Sequence, residues 1–141
     1  MKTVRIFFAL VLFTTLSVGI SNAQNYKAPA IDFSGKIKDG AGVTLGSISK
    51  EGIFKNHKGH KIALINNKGE LVDTSGKVLG KPEKNGNFHN IDGELEFTVK
   101  PSKNDQCEVL DKNGKVVTVV HNSYKARAGA IAHCLKMDML K

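Results

Sequence analysis

The chain has 141 residues, which allows one domain with a modest buried core. Its formal net charge is +8, but the lysines stand apart along the chain, and only two Tyr and no Trp are present to stack on bases. We therefore do not favour a nucleic-acid partner, because such a partner calls for clustered cations and aromatic rings. The dispersed lysines favour solubility and protection of strand edges.

The first 23 residues have the pattern of a secretory signal peptide. Lys2 and Arg5 supply positive charge, residues 6–16 are almost wholly apolar, and small residues occupy the positions that a signal peptidase reads. The segment is too short to span a membrane, and no later apolar run reaches about eighteen residues, so we expect no transmembrane segment in the mature chain. The sequence predicts an exported, periplasmic or extracellular protein with a single domain over 24–141.

The rest of the chain is organised by a recurring turn motif, in which Asp or Asn is followed three places later by Gly. In such a turn the side chain accepts a hydrogen bond from a backbone N–H two residues on, and Gly takes a positive φ without a Cβ clash. We interpret the Asp and Asn residues as turn formers and not as calcium ligands, because Asn replaces Asp twice. The glycines advance in steps of 17, 17, 17 and 21 residues: Gly42, Gly59, Gly76, Gly93 and Gly114.

Each motif predicts a β-hairpin. An apolar residue precedes each turn by two positions, which is the period of a strand. In the second strand of each of the first three hairpins, residues three positions apart flank a small residue, which is Gly46, Ala63 or Gly80. This pattern indicates a bulge or the close approach of a neighbouring backbone. The four extra residues fall in 101–105, which we predict to be a longer surface loop. The apolar row that the hairpins bury together is Ile37, Phe54, Leu71, Phe88 and Val109.

Single hairpins are barely stable in water, so the units must pack together. We expect closure around a shared axis, because a linear stack needs distinct caps at both ends and the N-terminal end offers only a partial strand at 31–33. In the tail, 126–141, the alternation of Ile131, Leu135 and Met137 favours a closing strand, while the alanines leave a short capping helix as the alternative. The predicted fold is all-β: five hairpin repeats of about 17 residues in a pseudo-fivefold closed arrangement with a C-terminal closing strand.

The units, written Gly-x-aliphatic-x-Asp-x-x-Gly-x-x-aliphatic-Gly, resemble the five-fold β-flower proteins, small exported bacterial proteins seen mostly in Bacteroidetes. Residues 72–80 (Val-Asp-Thr-Ser-Gly-Lys-Val-Leu-Gly) carry the motif most fully, and the resemblance runs from about Gly35 to the tail. It implies a pseudo-fivefold ring of hairpins and implies no activity. This chain departs from the pattern with Cys107 in place of a starting Gly, and with Glu96 and Phe97 in place of aliphatic-Gly.

The two cysteines, Cys107 and Cys134, belong to a chain bound for an oxidising compartment, where an even count permits one disulfide. That disulfide would close a loop of roughly 28 residues and stabilise the fold by about 3 kcal/mol in the chain-entropy model. The alternative is a pair of buried free thiols that act as small hydrophobic residues. The sequence leaves both alternatives open.

No catalytic, cofactor-binding or metal site is predicted. His57 and His60 flank one turn glycine and could begin a zinc or copper site, but no further Cys or His spacing supports it, so we interpret the histidines as solvated turn residues. The serines fall in turns and exposed arms without a nucleophile-elbow pattern. Glu94 and Glu96 share one face of a short strand, where exposure explains them better than paired catalytic carboxylates.

We therefore predict an exported structural or interaction module that is not an enzyme and whose partner is unknown, with a cell-envelope protein as one candidate. The alternative is a binding protein for an anionic ligand, a glycan or nucleic acid, through lysines that would gather on one rim if all hairpins point one way. A hydrolase or redox enzyme ranks third, and a perturbed thiol pKa would be its mark. The lysines of the alternative are Lys55, Lys58, Lys68 and Lys77.

Overall fold

The computed structural model describes residues 27–141, so the predicted signal peptide lies outside the described residues. Within 27–141 the chain forms a closed barrel of eleven strands with a single short helix near its C-terminus, which confirms the all-β prediction. A 3₁₀-helical segment, Asn122–Arg127, leads into that helix, α1 (Ala128–Lys136). The strands are β1 (Ala30–Ile31), β2 (Lys36–Lys38), β3 (Thr44–Ile48), β4 (Ile53–Asn56), β5 (Lys61–Ile65), β6 (Leu71–Asp73), β7 (Val78–Pro82), β8 (Phe88–Asn90), β9 (Leu95–Pro101), β10 (Gln106–Leu110) and β11 (Val116–His121).

The N-terminal strand closes the barrel. β1 pairs in parallel with β11 and antiparallel with β2. The carbonyl oxygen of Pro29 extends this junction, because it accepts hydrogen bonds from the Val119 N–H at 3.0 Å and from the Thr118 hydroxyl at 2.8 Å. Closure of the sheet is as predicted, but the predicted C-terminal closing strand is wrong. Since β1 already occupies the gap between β11 and β2, the tail has no open edge to join.

The interior contains the predicted apolar row, and each member is fully buried, at 0 % exposure. Across the antiparallel ladders, the row faces residues that are mostly small. Small partners leave space near the barrel axis, and the C-terminal helix fills it. The facing pairs are Ile37 with Gly46, Phe54 with Ala63, Leu71 with Gly80, Phe88 with Phe97, and Val109 with Thr118.

A β-bulge lies directly beside each of these pairs, because the register of the ladder shifts there by one residue. The predicted bulge next to the small residue is therefore confirmed. The predicted close approach of a backbone is confirmed as well, since a Cβ on Gly80 would collide with the ring of Phe88 and would lie 2.5 Å from the carbonyl oxygen of His89. The extra residues at the bulges are Leu45, Ile62, Leu79, Glu96 and Val117.

Turns lie at both ends of the barrel. The motif turns form one end, which we call the upper rim: 39–42, 56–59, 73–76, 90–93 and 111–114. A second set forms the lower rim: 32–35, 49–52, 66–69, 83–86 and 102–105. Glycines with positive φ serve the first four turns of the lower rim, where the sequence analysis placed strand starts, and Asn104 and Asp105 take positive φ in the fifth.

The four extra residues between Gly93 and Gly114 lengthen strands and not a loop. β9 has seven residues and β10 has five, whereas β7 and β8 have five and three. The predicted long loop over 101–105 is wrong, because Pro101 pairs with Cys107 and Lys100 with Glu108. Continued pairing satisfies backbone groups that a loop would leave to solvent.

The tail enters the barrel as a helix. Buried residues lie on all sides of α1 over 128–134, which indicates a helix surrounded by protein. The helix contacts strands β7 to β11. Its small residues make it narrow enough for this space, since a Cβ on Gly129 would lie 2.6 Å from the Cβ of Phe88. The predicted strand at 126–141 is thus wrong, and the alternative of a short helix is the observed structure.

We predict that Gly80→Ala destabilises the barrel more than Gly76→Ala, a control on the same ladder. A Cβ at position 80 meets Phe88 and the backbone, whereas one at position 76 meets nothing within 4 Å and adds only the strain of a positive φ. We expect the free energy of unfolding to fall by about 3 kcal/mol for Gly80→Ala and about 1 kcal/mol for Gly76→Ala. Urea unfolding followed by circular dichroism measures both, and equal losses would contradict the close approach at Gly80.

Candidate functional site at the upper rim

The two ends of the barrel differ. At the lower rim, the 3₁₀ segment lies across the turns, with the Tyr124 hydroxyl against Gly35 and the Lys125 carbonyl against Gly86. At the upper rim, the C-terminal segment and the strand ends enclose a cavity of about 640 Å³. Small-molecule sites typically have volumes of roughly 300–1,000 Å³. The upper rim therefore has room for a ligand, and a second pocket of about 650 Å³ lies on the barrel wall, where its lining is more polar and includes Glu83, Lys84 and His89.

The walls of the cavity are mostly apolar. Val43 is 58 % exposed at the mouth, whereas Cys134 is fully buried, so the cavity leads from solvent to the core. Leu45 and Val117 stand at bulges, which turn the extra residue of the strand toward the helix. The apolar lining from the barrel is Pro29, Val43, Leu45 and Val117, and that from the C-terminal segment is Ala132, Cys134, Leu135 and Leu140.

The polar lining of the cavity has more basic than acidic side chains. Asp138 is the one carboxylate among the lining residues that the structure describes, and its Oδ2 lies 2.7 Å from Nζ of Lys141. This hydrogen bond raises the pKa of Lys141. Lys141 compensates Asp138, and Lys136, whose side chain is 58 % exposed, presents an ammonium group to the cavity that can attract an anion. The polar lining consists of Thr44, His57, Lys136, Asp138 and Lys141.

A buried pair between Glu96 and His133 lies behind the cavity. Oε1 of Glu96 is 2.7 Å from Nδ1 of His133, and the two side chains are only 10 % and 9 % exposed. The His133 ring also contacts Phe88, at 4.9 Å between centroids. The interpretations of Glu96 as an exposed strand residue and of His133 as a solvated turn residue are therefore wrong. The bulge turns Glu96 toward the helix, and α1 carries His133 to it.

Lys136 connects this buried pair with the cavity. Its Nζ lies 3.8 Å from Oε2 of Glu96, which is beyond hydrogen-bond distance, and 5.8 Å from the centroid of the Phe97 ring. The side chain is 58 % exposed and lines the cavity. The ammonium group is thus placed by a carboxylate and an aromatic face while its donors can serve a further acceptor. In the sequence, this site is marked by Glu96 and Phe97, which stand where the repeat motif has an aliphatic residue and Gly.

We predict that Glu96→Leu alone destabilises the protein, whereas Glu96→Leu combined with His133→Leu does not. Leucine is the residue at the bulges of β3 and β7, but the single substitution leaves His133 buried without its carboxylate. We expect a loss of about 3 kcal/mol for the single variant and a stability within about 1 kcal/mol of the original for the double variant. Urea unfolding of the two variants and of His133→Leu completes the cycle, and a loss in the double variant equal to the sum of the two single losses would show that the pair is not coupled.

The other histidines do not converge on one point. Nε2 of His89 lies 3.1 Å from Oε1 of Glu83, and its Nδ1 lies 3.3 Å from the carbonyl oxygen of Gly93. The hydrogen bond with Glu83 raises the pKa of His89. His57 lines the cavity and His60 is exposed. Over the described range, 27–141, no three His, Cys, Asp or Glu side chains are placed to hold a metal ion.

One serine lies beside a base, which the sequence analysis missed. Oγ of Ser123 is 2.8 Å from Nδ1 of His121, and Nε2 of His121 is 3.3 Å from Oδ2 of Asp105. The same Nδ1 accepts the backbone N–H of Ser123 at 3.2 Å, so His121 is the N-cap of the 3₁₀ segment. The group lies at the lower rim, away from the cavity, and Asp105 is 70 % exposed. Capping accounts for this arrangement.

The lysines of the anionic-ligand alternative do not gather on one rim. Lys58 and Lys77 lie at turns of the upper rim, Lys68 lies in a turn of the lower rim, and Lys55 lies on β4. The expectation of a common basic rim is wrong because successive turns alternate between the two ends of the barrel.

Both cysteines are buried free thiols, the second of the two alternatives. The thiol of Cys107 donates to the carbonyl oxygen of Val120 at 3.5 Å. Burial raises the pKa of both thiols, that of Cys134 to about 12. A thiol that stays protonated is a weak nucleophile, so these values favour a packing role.

We predict that the folded protein resists thiol reagents near neutral pH. Both thiols are buried and protonated, so labelling requires opening of the barrel. We expect negligible reaction with an aromatic disulfide reagent in buffer at about pH 8 and two labels per chain in denaturant. A non-reduced, unfolded chain that takes no label and has lost two hydrogens in mass would show a disulfide instead.

No protein-family model matches the sequence, and no curated protein or solved structure matches it significantly. Among residues 27–141, no helix has the length and apolar character needed to cross a membrane. Arguments about function therefore start from the cavity and its lining.

Proposed function

We propose that this chain is an exported interaction module that binds an apolar ligand in the upper-rim cavity and catalyses no reaction. The observation that carries the proposal is the cavity of about 640 Å³ with its mostly apolar walls, at the end of the barrel opposite the 3₁₀ segment. Removing apolar ligand surface from water contributes about 25 cal/mol per Å² to binding.

The walls of the cavity are supported by the core, which favours a preformed site. Cys134 and Leu140 belong to the buried core cluster, and Leu45, Val117 and Leu135 pack against it. Side chains held in this way lose little further freedom when a ligand binds, so less of the binding free energy is spent on ordering.

Export belongs to the same proposal. Residues 1–23 have the charge, apolar run and small residues of a cleaved signal peptide, which supports action in the periplasm or outside the cell. A partner that delivers or receives the ligand would then be a protein of the cell envelope.

We also propose that the barrel is a pseudo-fivefold ring of hairpins of the β-flower kind. Two features support this arrangement. The turn glycines advance in nearly constant steps along the chain. An inward pair with an adjacent bulge recurs in the ladders β2–β3, β4–β5, β6–β7, β8–β9 and β10–β11.

The alternative, a glycan or nucleic acid bound by rim lysines, has less support because those lysines are divided between the two ends and the wall of the barrel. The basic excess at the cavity mouth is the part of that alternative that the geometry favours. There it accompanies apolar walls, which suit neither a sugar nor a phosphate backbone.

We predict that the purified protein binds the neutral probe N-phenyl-1-naphthylamine and that Thr44→Trp blocks this binding. Thr44 is an exposed residue of the lining, so an indole at this position can fill the mouth without entering the core. We expect at least a tenfold loss of probe affinity, which corresponds to about 1.4 kcal/mol. Fluorescence titration of the probe measures the affinity.

Leu95→Trp is the matched control for this experiment. Leu95 starts β9 as Thr44 starts β3, and it is 44 % exposed without lining the cavity. We expect unchanged probe binding in this variant. Absence of probe binding in the original protein, or an equal loss in both variants, would contradict a binding site in the cavity.

A further inference from the structure

We infer that the ligand of the cavity is a single-chain aliphatic carboxylate, with its tail between the barrel and the C-terminal segment and its head group on Lys136. The inference rests on the proposed function and adds the chemical class of the ligand. The observations that support it are the apolar interior of the cavity and the excess of basic over acidic side chains at its mouth.

The interior of the cavity suits an alkyl chain. Leu45, Val117 and Leu140 present branched aliphatic groups with no hydrogen-bonding atoms, so a sugar or other polar ligand would be desolvated there without compensation. The path from the exposed Val43 to the buried Cys134 gives a ligand one apolar end and one end near water. A flexible chain can follow such irregular walls, as long unbranched side chains do in protein cores.

The mouth of the cavity suits an anionic head group. The carboxylate of Glu96 is already paired, because its Oε1 lies 2.7 Å from His133 and only the 3.8 Å contact of Oε2 reaches Lys136. A ligand carboxylate at hydrogen-bond distance from Lys136 would replace that long contact by a charge-assisted hydrogen bond of about 2.8 Å. The ammonium nitrogen of Lys136 lies 5.8 Å from the centroid of the Phe97 ring, a contact that limits the freedom that the side chain would lose on binding.

The remaining polar groups favour the same sign of charge. Asp138 is held by Lys141 at 2.7 Å, so it is compensated within the protein. His57, from an upper-rim turn, also belongs to the lining and offers a second donor to a head group. Lys and Arg still outnumber Asp and Glu after residues 1–23 are removed, which raises the local concentration of anions. A cationic amphiphile would meet repulsion, and a neutral one would gain less from Lys136 than a carboxylate, because only one partner of the hydrogen bond would be charged.

The inference can be tested by displacing N-phenyl-1-naphthylamine from the purified protein with four competitors. These are dodecanoate, dodecanol, dodecylammonium and acetate. The two charged long-chain competitors are kept below their critical micelle concentrations, and dodecanol is kept below its solubility limit. We expect dodecanoate to displace the probe at a concentration about tenfold lower than dodecanol, because one hydrogen bond to a charged group is added. Dodecylammonium should be weaker than dodecanol, and acetate should not displace the probe, because it lacks the tail.

Lys136→Met separates the head group from the tail. Methionine keeps an unbranched side chain and removes the charge, so this variant should bind dodecanol as before and lose the roughly tenfold preference for dodecanoate. Lys58→Met is the matched control, since Lys58 lies in an upper-rim turn and does not line the cavity. It should keep both the affinity and the preference.

The outcomes distinguish this inference from the proposed function. Equal displacement by dodecanoate and dodecanol overturns the carboxylate assignment, and a preference that survives in Lys136→Met overturns the placement of the head group on Lys136. In both cases binding of the probe leaves the apolar site standing. Failure of the original protein to bind the probe overturns both. Sedimentation with anionic phospholipid vesicles that Lys136→Met abolishes, without displacement of the probe by dodecanoate, assigns the lysine to a membrane surface and overturns the inference.

Discussion

The space inside the closed barrel is the constraint on which the rest of the structure depends. A barrel of about eight strands can be filled by side chains alone, and a wider barrel leaves room at its axis. Here the residues that face the buried apolar row are mostly small, with Gly46, Ala63 and Gly80 on three of the ladders. The chain fills the remaining space with its own C-terminal helix, whose Ala and Gly residues let it approach the strands closely. The small residues of the helix and those of the strands are therefore both needed for the helix to pack inside the barrel.

The bulges add side chains to the core into which the helix packs. Each bulge adds one side chain to its ladder, and at four of the five bulges this side chain is aliphatic and packs against the core. At the remaining bulge it is Glu96, which pairs with His133 and orients Lys136. The helix ends at Lys136, after which the chain turns through Asp138 with a positive φ and Leu140 returns to the core. The cavity lies between the residues that follow the helix and the strands. Its mouth is basic because Lys136, at the end of the helix, and Lys141 both line it.

The two rims have consequently different roles. At the lower rim the polar groups are used for structure, with His121 capping the 3₁₀ segment and Asn122 donating to Asp105 at 2.9 Å. At the upper rim each turn satisfies itself locally, as when Asp73 accepts the backbone N–H of Ser75 at 2.9 Å and of Lys77 at 3.0 Å, and lower-rim turns such as that of Asn66 do the same. The hydrogen bond from the Ser75 hydroxyl also lowers the pKa of Asp73. The turns of the upper rim are thus self-sufficient, which leaves the neighbouring cavity lining available for a ligand.

The sequence by itself determined the features that depend on a few neighbouring residues. The upper-rim turns, most of the strands, the buried apolar row and the bulge beside Gly46 follow from local spacing, since side-chain period and glycine φ act within a hairpin. Even the cavity left a local trace, the replacement of aliphatic-Gly by Glu96 and Phe97. Only the tertiary structure decided that β1 closes the barrel, that the tail is a helix and that Glu96 meets His133. The free edge of a sheet, the volume at the axis of a barrel and the end at which a turn lies are properties of the assembled chain. They outweighed the alternating pattern of the tail, because a strand needs an edge to join and here none was left.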